Sequence, residues 1–210
     1  FEKKISEVNV PEDIGTMIAA MDYSPPREIK KAFNLPEPPQ SANDADITAI
    51  GKAGILVMQL AQDTKYLSAN VINVAKSFND AQVKLLVPVK DHLTWLDLSR
   101  SGITDQAATD LGQLSKLTKL HLENTVISDK TLMEIGKLEN LEYLNLYGTK
   151  VTDEGLKNLE KLKKLKKLYV WQTGVTQAGV DKLKSAVPGI YVNLGWQVPK
   201  QEDKPEEPKK

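Results

Sequence analysis

The sequence predicts an α/β solenoid: a right-handed superhelix of stacked units with a parallel sheet on its concave face and helices on its convex face. Three observations predict it. Within residues 141–161, LEYLNLYGTKVTDEGLKNLEK, apolar positions step by two at Leu144 and Leu146, as in a strand, then by three at Leu156 and Leu159, as on a helix face. Leu93, Leu117, Leu141 and Leu165 open four such units, each 24 residues beyond the last. The turn residues between strand and helix also recur in register, which a helical bundle with chance leucine spacing leaves unexplained.

Each element of the unit has a physical cause. One strand and one helix cannot bury their own apolar face, so Leu96/Leu98, Leu120/Leu122, Leu144/Leu146 and Leu168/Val170 are satisfied only when neighbouring units stack. A hydroxyl column follows, Ser101, Thr125, Thr149 and Thr173, placed to hydrogen-bond backbone in the turn. After Ile103, Ile127, Val151 and Val175 come Thr104-Asp105, Ser128-Asp129, Thr152-Asp153 and Thr176-Gln177. These pairs suit helix starts: the side-chain oxygen accepts from an unpaired N–H, and the carboxylate meets the positive end of the helix dipole. Loss of such a cap costs about 1 kcal/mol.

The flanks depart from the period. Residues 1–43 contain MDYSPPREIKKAFNLPEPPQ, with prolines at 25, 26, 36, 38 and 39, and read as an N-terminal extension and Pro-rich linker able to wrap on the solenoid. Before the prolines, PEDIGTMIAAM can form a helical turn or two. Residues 44–92 read as degenerate N-terminal capping repeats: NDADITAIGKAG as a short helix, GILVMQLA and ANVINV as irregular strands, and Phe78-Asn79-Asp80 as an echo of Ile103-Thr104-Asp105. Residues 93–196 carry the repeats and a C-terminal cap, where Pro188 ends the last helix before an edge strand in VPGIYVNLGW. Residues 197–210, rich in Lys, acidic residues and Pro, read as a disordered tail.

Composition excludes several function classes. The chain has 210 residues, enough for a substantial core, and its 28 basic residues balance 28 acidic ones, so no net field recruits nucleic acid. It has no cysteine, which rules out disulfides, thiolate metal sites and covalent haem attachment within it. No apolar run approaches the roughly 18 residues of a membrane span, and no signal peptide is evident. A start at Phe1 rather than Met points to a piece of something longer.

Little in the sequence suggests catalysis. His92 and His121 have no second ligand at metal spacing and no nearby nucleophile. GTKVTDEG lacks the ending of a phosphate loop, and Asp105, Asp129 and Asp153 supply one carboxylate per coil, too few for calcium. The run KNLEKLKKLKKL leaves Lys163, Lys164, Lys166 and Lys167 where the scaffold needs only solvation, although together they could form a basic patch. More informative are the residues alternating with the strand leucines, which should line the concave face. The columns are Trp95, Lys119, Tyr143, Lys167; Asp97, His121, Asn145, Tyr169; and Ser99, Glu123, Tyr147, Trp171, with Tyr191 extending the row if the last strand pairs with the sheet. The twelve column positions hold three of the six tyrosines and two of the three tryptophans. Such side chains commonly anchor binding surfaces, although strand propensity alone also favours them.

The four units resemble bacterial leucine-rich repeats of the form L-x-x-L-x-L-x-x-T-x-[IV]-T-D-x-G-L over residues 93–196. More narrowly, FEKKISEVN, AQDTKYLSANVIN, FNDAQVKLLVPVKDHLTWLDLSRSGITD and LYVWQTGVTQAGVDKLKSAVPGIYVNLGW resemble the C-terminal region of membrane-anchored c-type cytochrome/leucine-rich-repeat proteins of planctomycetes and Bacteroidetes. That resemblance implies an extracytoplasmic domain, periplasmic or cell-surface, with haem and membrane attachment supplied elsewhere in the parent protein. The motif Cys-x-x-Cys-His is absent here, so no haem role passes to any residue of this chain.

The expected function is a non-enzymatic interaction module. Its expected contact residues are Trp95, Asp97, His121, Glu123, Tyr143, Asn145, Tyr147, Tyr169 and Trp171, facing a protein partner or a neighbouring domain. Carbohydrate binding on the aromatic face, or service as a structural spacer for an electron-transfer domain, are the alternatives.

Overall fold

The computed structural model describes residues 35–195. The expectations for residues 1–34 and 196–210, including most of the linker and the whole tail, lie outside the described residues.

The strands β1 (Leu56–Gln59), β2 (Leu67–Asn70), β3 (Leu93–Asp97), β4 (Lys119–His121), β5 (Tyr143–Asn145), β6 (Lys167–Tyr169) and β7 (Tyr191–Asn193) form one sheet in chain order. From β2 onward every pairing is parallel, and Leu96, Leu120, Leu144, Leu168 and Val192 stand in register. The opposite layer holds α1 (Asp44–Lys52), α2 (Asp80–Val83), α3 (Ala108–Gly112), α4 (Asp129–Ile135), α5 (Asp153–Leu156) and α6 (Gln177–Ala186), with 3-10 turns at Lys84–Val89, Asp105–Ala107 and Lys157–Lys161. Apolar side chains of the strands and of the helical layer meet in one continuous core, in which Leu96, Leu111, Leu120, Ile135, Leu144, Leu159 and Leu168 are almost wholly buried. This is the α/β leucine-rich-repeat solenoid that the period predicts. Among the described residues, no helix is long and apolar enough to cross a membrane.

The N-terminal flank divides. Residues 67–92 make a full parallel coil, but β1 runs antiparallel to β2, so α1 and β1 form a helix and hairpin strand that cover the first coil rather than a degenerate repeat. The difference follows from the short link between β1 and β2, which allows a hairpin but not the crossover a parallel pair requires. Residues 35–43 do lie on this end. Tyr66 donates its hydroxyl proton to the Pro36 carbonyl at 2.5 Å, Thr64 to Glu37 at 2.6 Å, and a His92 ring nitrogen meets the Gln40 carbonyl at 2.9 Å.

The turn chemistry repeats. Ser101, Thr125, Thr149 and Thr173 donate to the carbonyls of Leu98, Leu122, Leu146 and Val170 at 2.6–2.7 Å. Thr104, Ser128, Thr152 and Thr176 cap the helical segments that follow, as expected. The aspartates that follow the caps Asn79, Thr104, Ser128 and Thr152 do more than meet a dipole. Asp80, Asp105, Asp129 and Asp153 each reach the next coil and accept both the backbone N–H and the hydroxyl proton of Thr104, Ser128, Thr152 and Thr176, at 2.6–2.9 Å. Each carboxylate therefore ties adjacent coils together.

A second column was hidden in the sequence. Arg100, Asn124, Gly148 and Gln172, one per coil, all have φ between 53° and 69°. A side chain in this left-handed region costs about 1 kcal/mol or more. At Gly148 an added Cβ would also lie 2.6 Å from the Asn124 Oδ1. Gly148→Ala is therefore expected to destabilise by about 1–2 kcal/mol, whereas Gln172→Gly should be neutral or stabilising by up to about 1 kcal/mol. Urea denaturation of the two variants checks this; a stabilised Gly148→Ala would contradict it.

Candidate functional site

The open face of the sheet carries the side chains that alternate with the core leucines. Pairing aligns Ser68, Trp95, Lys119, Tyr143, Lys167 and Tyr191 in one row, and Asn70, Asp97, His121, Asn145, Tyr169 and Asn193 in the next. The third row, Ser99, Glu123, Tyr147 and Trp171, follows the strands. Leu56 and Met58, paired with Asn70 and Ser68, extend this face to the edge of β1, and both are exposed. Sequence reasoning missed them because it gave β1 no partner and so no facing.

The aromatic residues form two contiguous groups. The His121 ring lies 4.8 Å from that of Tyr143, Tyr143 5.4 Å from Tyr169, and Tyr169 6.2 Å from Tyr191. Tyr147 stacks on Trp171 at 5.2 Å with an interplanar angle of 26°. Each such pair contributes about 0.5–1.5 kcal/mol beyond the area it buries. The contacts also hold the rings in place before any ligand arrives, which lowers the entropy cost of binding. Trp171 remains 47% exposed and Tyr191 54%.

The remaining expected residues divide by role. Asp97 and Asn145 accept the backbone N–H two residues on, from Ser99 at 2.9 Å and Tyr147 at 3.1 Å, as Asn70 and Asn193 do from Ile72 and Gly195. This local turn closes each strand. Asp97 also accepts from the Asn70 amide at 3.2 Å, so both its oxygens are engaged within the scaffold. His121 and Tyr169 occupy the same row without making this turn bond, and they carry ring contacts instead. The Lys119 ammonium sits 3.8 Å over the half-buried Trp95 ring.

Electrostatics single out His121 and Glu123. Burial of the His121 ring pushes its pKa down, but the Glu123 hydrogen bond and charge, with Asp97, outweigh this and raise it against the opposition of Lys119. The two side chains meet at 3.2 Å between Nδ1 and Oε1. Burial depresses Lys119, helped by Lys167, while Glu142 opposes. Tyr143 is raised, chiefly by burial.

The third row borders a hollow of about 890 Å³ at the strand ends. Its other wall is the loop 72–77, and Arg100, Asn124 and Tyr169 also line it. Sequence reasoning did not find that wall, since it becomes a wall only when the β2 coil stacks beside the repeats.

The expected basic patch is largely tied into the scaffold. Lys163 donates to the Ala186 carbonyl, Lys164 to Asn140 and Lys166 to Glu142, each at 2.7–2.8 Å across coils, and these three stay exposed, as does Lys167 on the open face. A covalently attached c-type haem does not fit this chain, because its thioether linkage needs cysteines that the sequence lacks. Among the described residues, no group of three or more His, Cys, Asp or Glu side chains is gathered to hold a metal ion.

Comparison with known proteins agrees on the repeat. A leucine-rich repeat family model matches residues 137–159. An internalin from Listeria monocytogenes is similar in structure over 55% of this chain and 32% of its own, with 21% identity and a TM-score of 0.47. A leucine-rich-repeat protein of Leptospira interrogans aligns over 52% of this chain and 33% of its own, with 22% identity and a TM-score of 0.39. The chain thus spans about a third of the length of either protein. The leucine-rich-repeat ectodomain of a receptor kinase from Arabidopsis thaliana aligns over 73% of this chain and 98% of its own, with 14% identity and a TM-score of 0.45. No curated protein matches the sequence significantly.

Proposed function

We propose that this chain is a non-enzymatic interaction domain that holds a protein partner, or a neighbouring domain of a longer parent protein, on the open, concave face of its sheet. The observation that carries the reading is the ordered aromatic surface, with Tyr147 stacked on Trp171 beside a hollow and Tyr143, Tyr169 and Tyr191 in contact across three strands. Repeat solenoids generally use such extended faces for binding, and preordered Tyr and Trp are efficient anchors. Asp97 and Asn145 serve the scaffold in this reading, and Glu123, Tyr143, Tyr147, Tyr169 and Trp171 make the contact. The resemblance to cytochrome-associated proteins supports an extracytoplasmic location, with any haem module and membrane attachment in the parent protein.

A carbohydrate ligand is the second reading, favoured by the exposed Trp171 ring, which offers an apolar face to a sugar. Tyr147→Ala/Trp171→Ala should leave the circular dichroism spectrum unchanged and weaken partner capture from a periplasmic and membrane extract by more than about tenfold. An identical catch from both proteins would remove the aromatic face from the interaction. Loss of glycan binding in place of protein capture would favour the carbohydrate reading.

A further inference from the structure

The hollow beside Trp171 carries two positive charges that the scaffold does not use. Lys76, on the loop 72–77, and Arg100, one coil further on, both border it and both are exposed. Neither belongs to an ion pair among the described residues. The turn does not call for an arginine: the left-handed φ of 59° at Arg100 suits Gly or Asn, which stand at the matching positions Gly148 and Asn124. The lysines at 163, 164 and 166, by contrast, are bonded to neighbouring coils.

Glu123 lines the same hollow, but its charge is committed elsewhere. Its Oε1 meets the His121 ring at 3.2 Å and its Oε2 is shut off from solvent, so the carboxylate is shared with the imidazole and not with Lys76 or Arg100. Two cations against this one acid leave a single unit of positive charge at the opening. Asn193, also on the hollow, has its carboxamide oxygen held by the Gly195 N–H at 2.8 Å, which leaves the amide nitrogen as a further donor. Beside these polar groups, the stacked Tyr147 and Trp171 rings offer an apolar surface.

Resting on the protein-interaction reading above, we propose that this hollow receives an acidic segment of the protein partner. A Glu or Asp carboxylate meets Arg100 and Lys76 while an adjoining apolar side chain covers the Tyr147–Trp171 pair. The group is chosen by chemistry. A carboxylate fits the guanidinium fork with two parallel hydrogen bonds and balances the single surplus charge. A phosphate dianion would exceed that charge, a cation would be repelled, and a neutral sugar would leave both cations without an anion. Because Lys76 and Arg100 stand in solvent, their pairing adds selectivity and speed of encounter more than affinity, which the aromatic pair supplies.

The test titrates the full chain with acetyl-Leu-Glu-Gly-amide and with its glutamine counterpart, which has nearly the same shape but no charge, following backbone and indole NH signals by NMR. At low ionic strength the glutamate peptide should move signals at Lys76, Arg100 and Trp171 and bind about fivefold tighter than glutamine. Arg100→Asn/Lys76→Gln should abolish that preference; asparagine suits the left-handed angle, so the rest of the spectrum should stay in place. Equal binding of the two peptides, no binding of either, a preference that survives in the double variant, or shifts centred on residues 163–167 overturns the proposal. Tighter binding of the phosphoserine counterpart overturns the choice of a carboxylate. If the glutamate peptide fails while Tyr147→Ala/Trp171→Ala still loses the native partner, only the acidic-segment site falls. If that aromatic variant keeps the partner, the wider interaction reading falls as well.

Discussion

Asp105→Ala should destabilise the domain by about 3 kcal/mol at neutral pH, lowering Tm by roughly 10 °C in a protein of this size. The carboxylate accepts three hydrogen bonds from the next coil: from the Ser128 N–H at 2.8 Å, the Ser128 hydroxyl at 2.6 Å and the Thr131 hydroxyl at 2.6 Å. Alanine would leave the Ser128 donors half-buried and the Thr131 hydroxyl fully buried without their acceptor, and would uncouple two coils whose cores depend on stacking. Burial by itself would raise the Asp105 pKa, but the bonds from Ser128 and Thr131 outweigh it and hold it below the usual carboxylate value. A depressed folded pKa means that the charged form stabilises the fold above the unfolded pKa of about 3.9, and that this contribution is lost as pH falls through the folded value. The gap between wild type and variant should therefore be full at neutral pH and close in strong acid. Asp153, held down by the Thr176 hydrogen bonds, adds to the same acid sensitivity. Thermal unfolding of both proteins across this range tests the account, and a gap that stays constant into strong acid would contradict it.

Gly155→Val should cost about 3 kcal/mol, and Gly155→Thr clearly less. Gly155 is buried, and a Cβ there would fall inside contact distance of the Asp129 carboxylate, the group that ties Thr152 to its coil. Valine would push that carboxylate away and put nothing polar in its place. One coil earlier the same position is Thr131, fully buried, whose hydroxyl donates to Asp105 and turns the crowding into a hydrogen bond. Threonine at 155 can copy that arrangement, while valine has the same shape without the proton. Equal losses in chemical denaturation would mean that volume, not the hydrogen bond, decides tolerance there.

Much of the fold was legible because its causes are local or periodic. The strand leucines recur at a fixed spacing, and the turn hydroxyls and the Thr and Ser caps bond within a few residues of themselves, so spacing along the chain displays their function. The bracing role of the aspartates was not legible, since each acts on a residue 23 or 24 positions away. The left-handed column was missed for another reason: Arg100, Asn124, Gly148 and Gln172 share a backbone angle but no side-chain chemistry. For the candidate site, the rows of outward residues were predicted, yet Asp97 and Asn145 were counted as contacts although a local turn bond occupies them. An Asn or Asp at the end of a strand is a turn signal that could have separated them earlier.

By itself, the sequence determined the coil period, the leucines that stack, and which side chains leave the sheet on its open side, because alternation and repetition follow from strand geometry alone. Only the tertiary structure decided that β1 turns back as a hairpin, that the loop 72–77 walls a hollow beside Trp171, and that Glu123 keeps a buried oxygen without a donor. Those features join residues from different coils. They arise from distances that exist only once the coils are stacked, and no spacing along the chain records them.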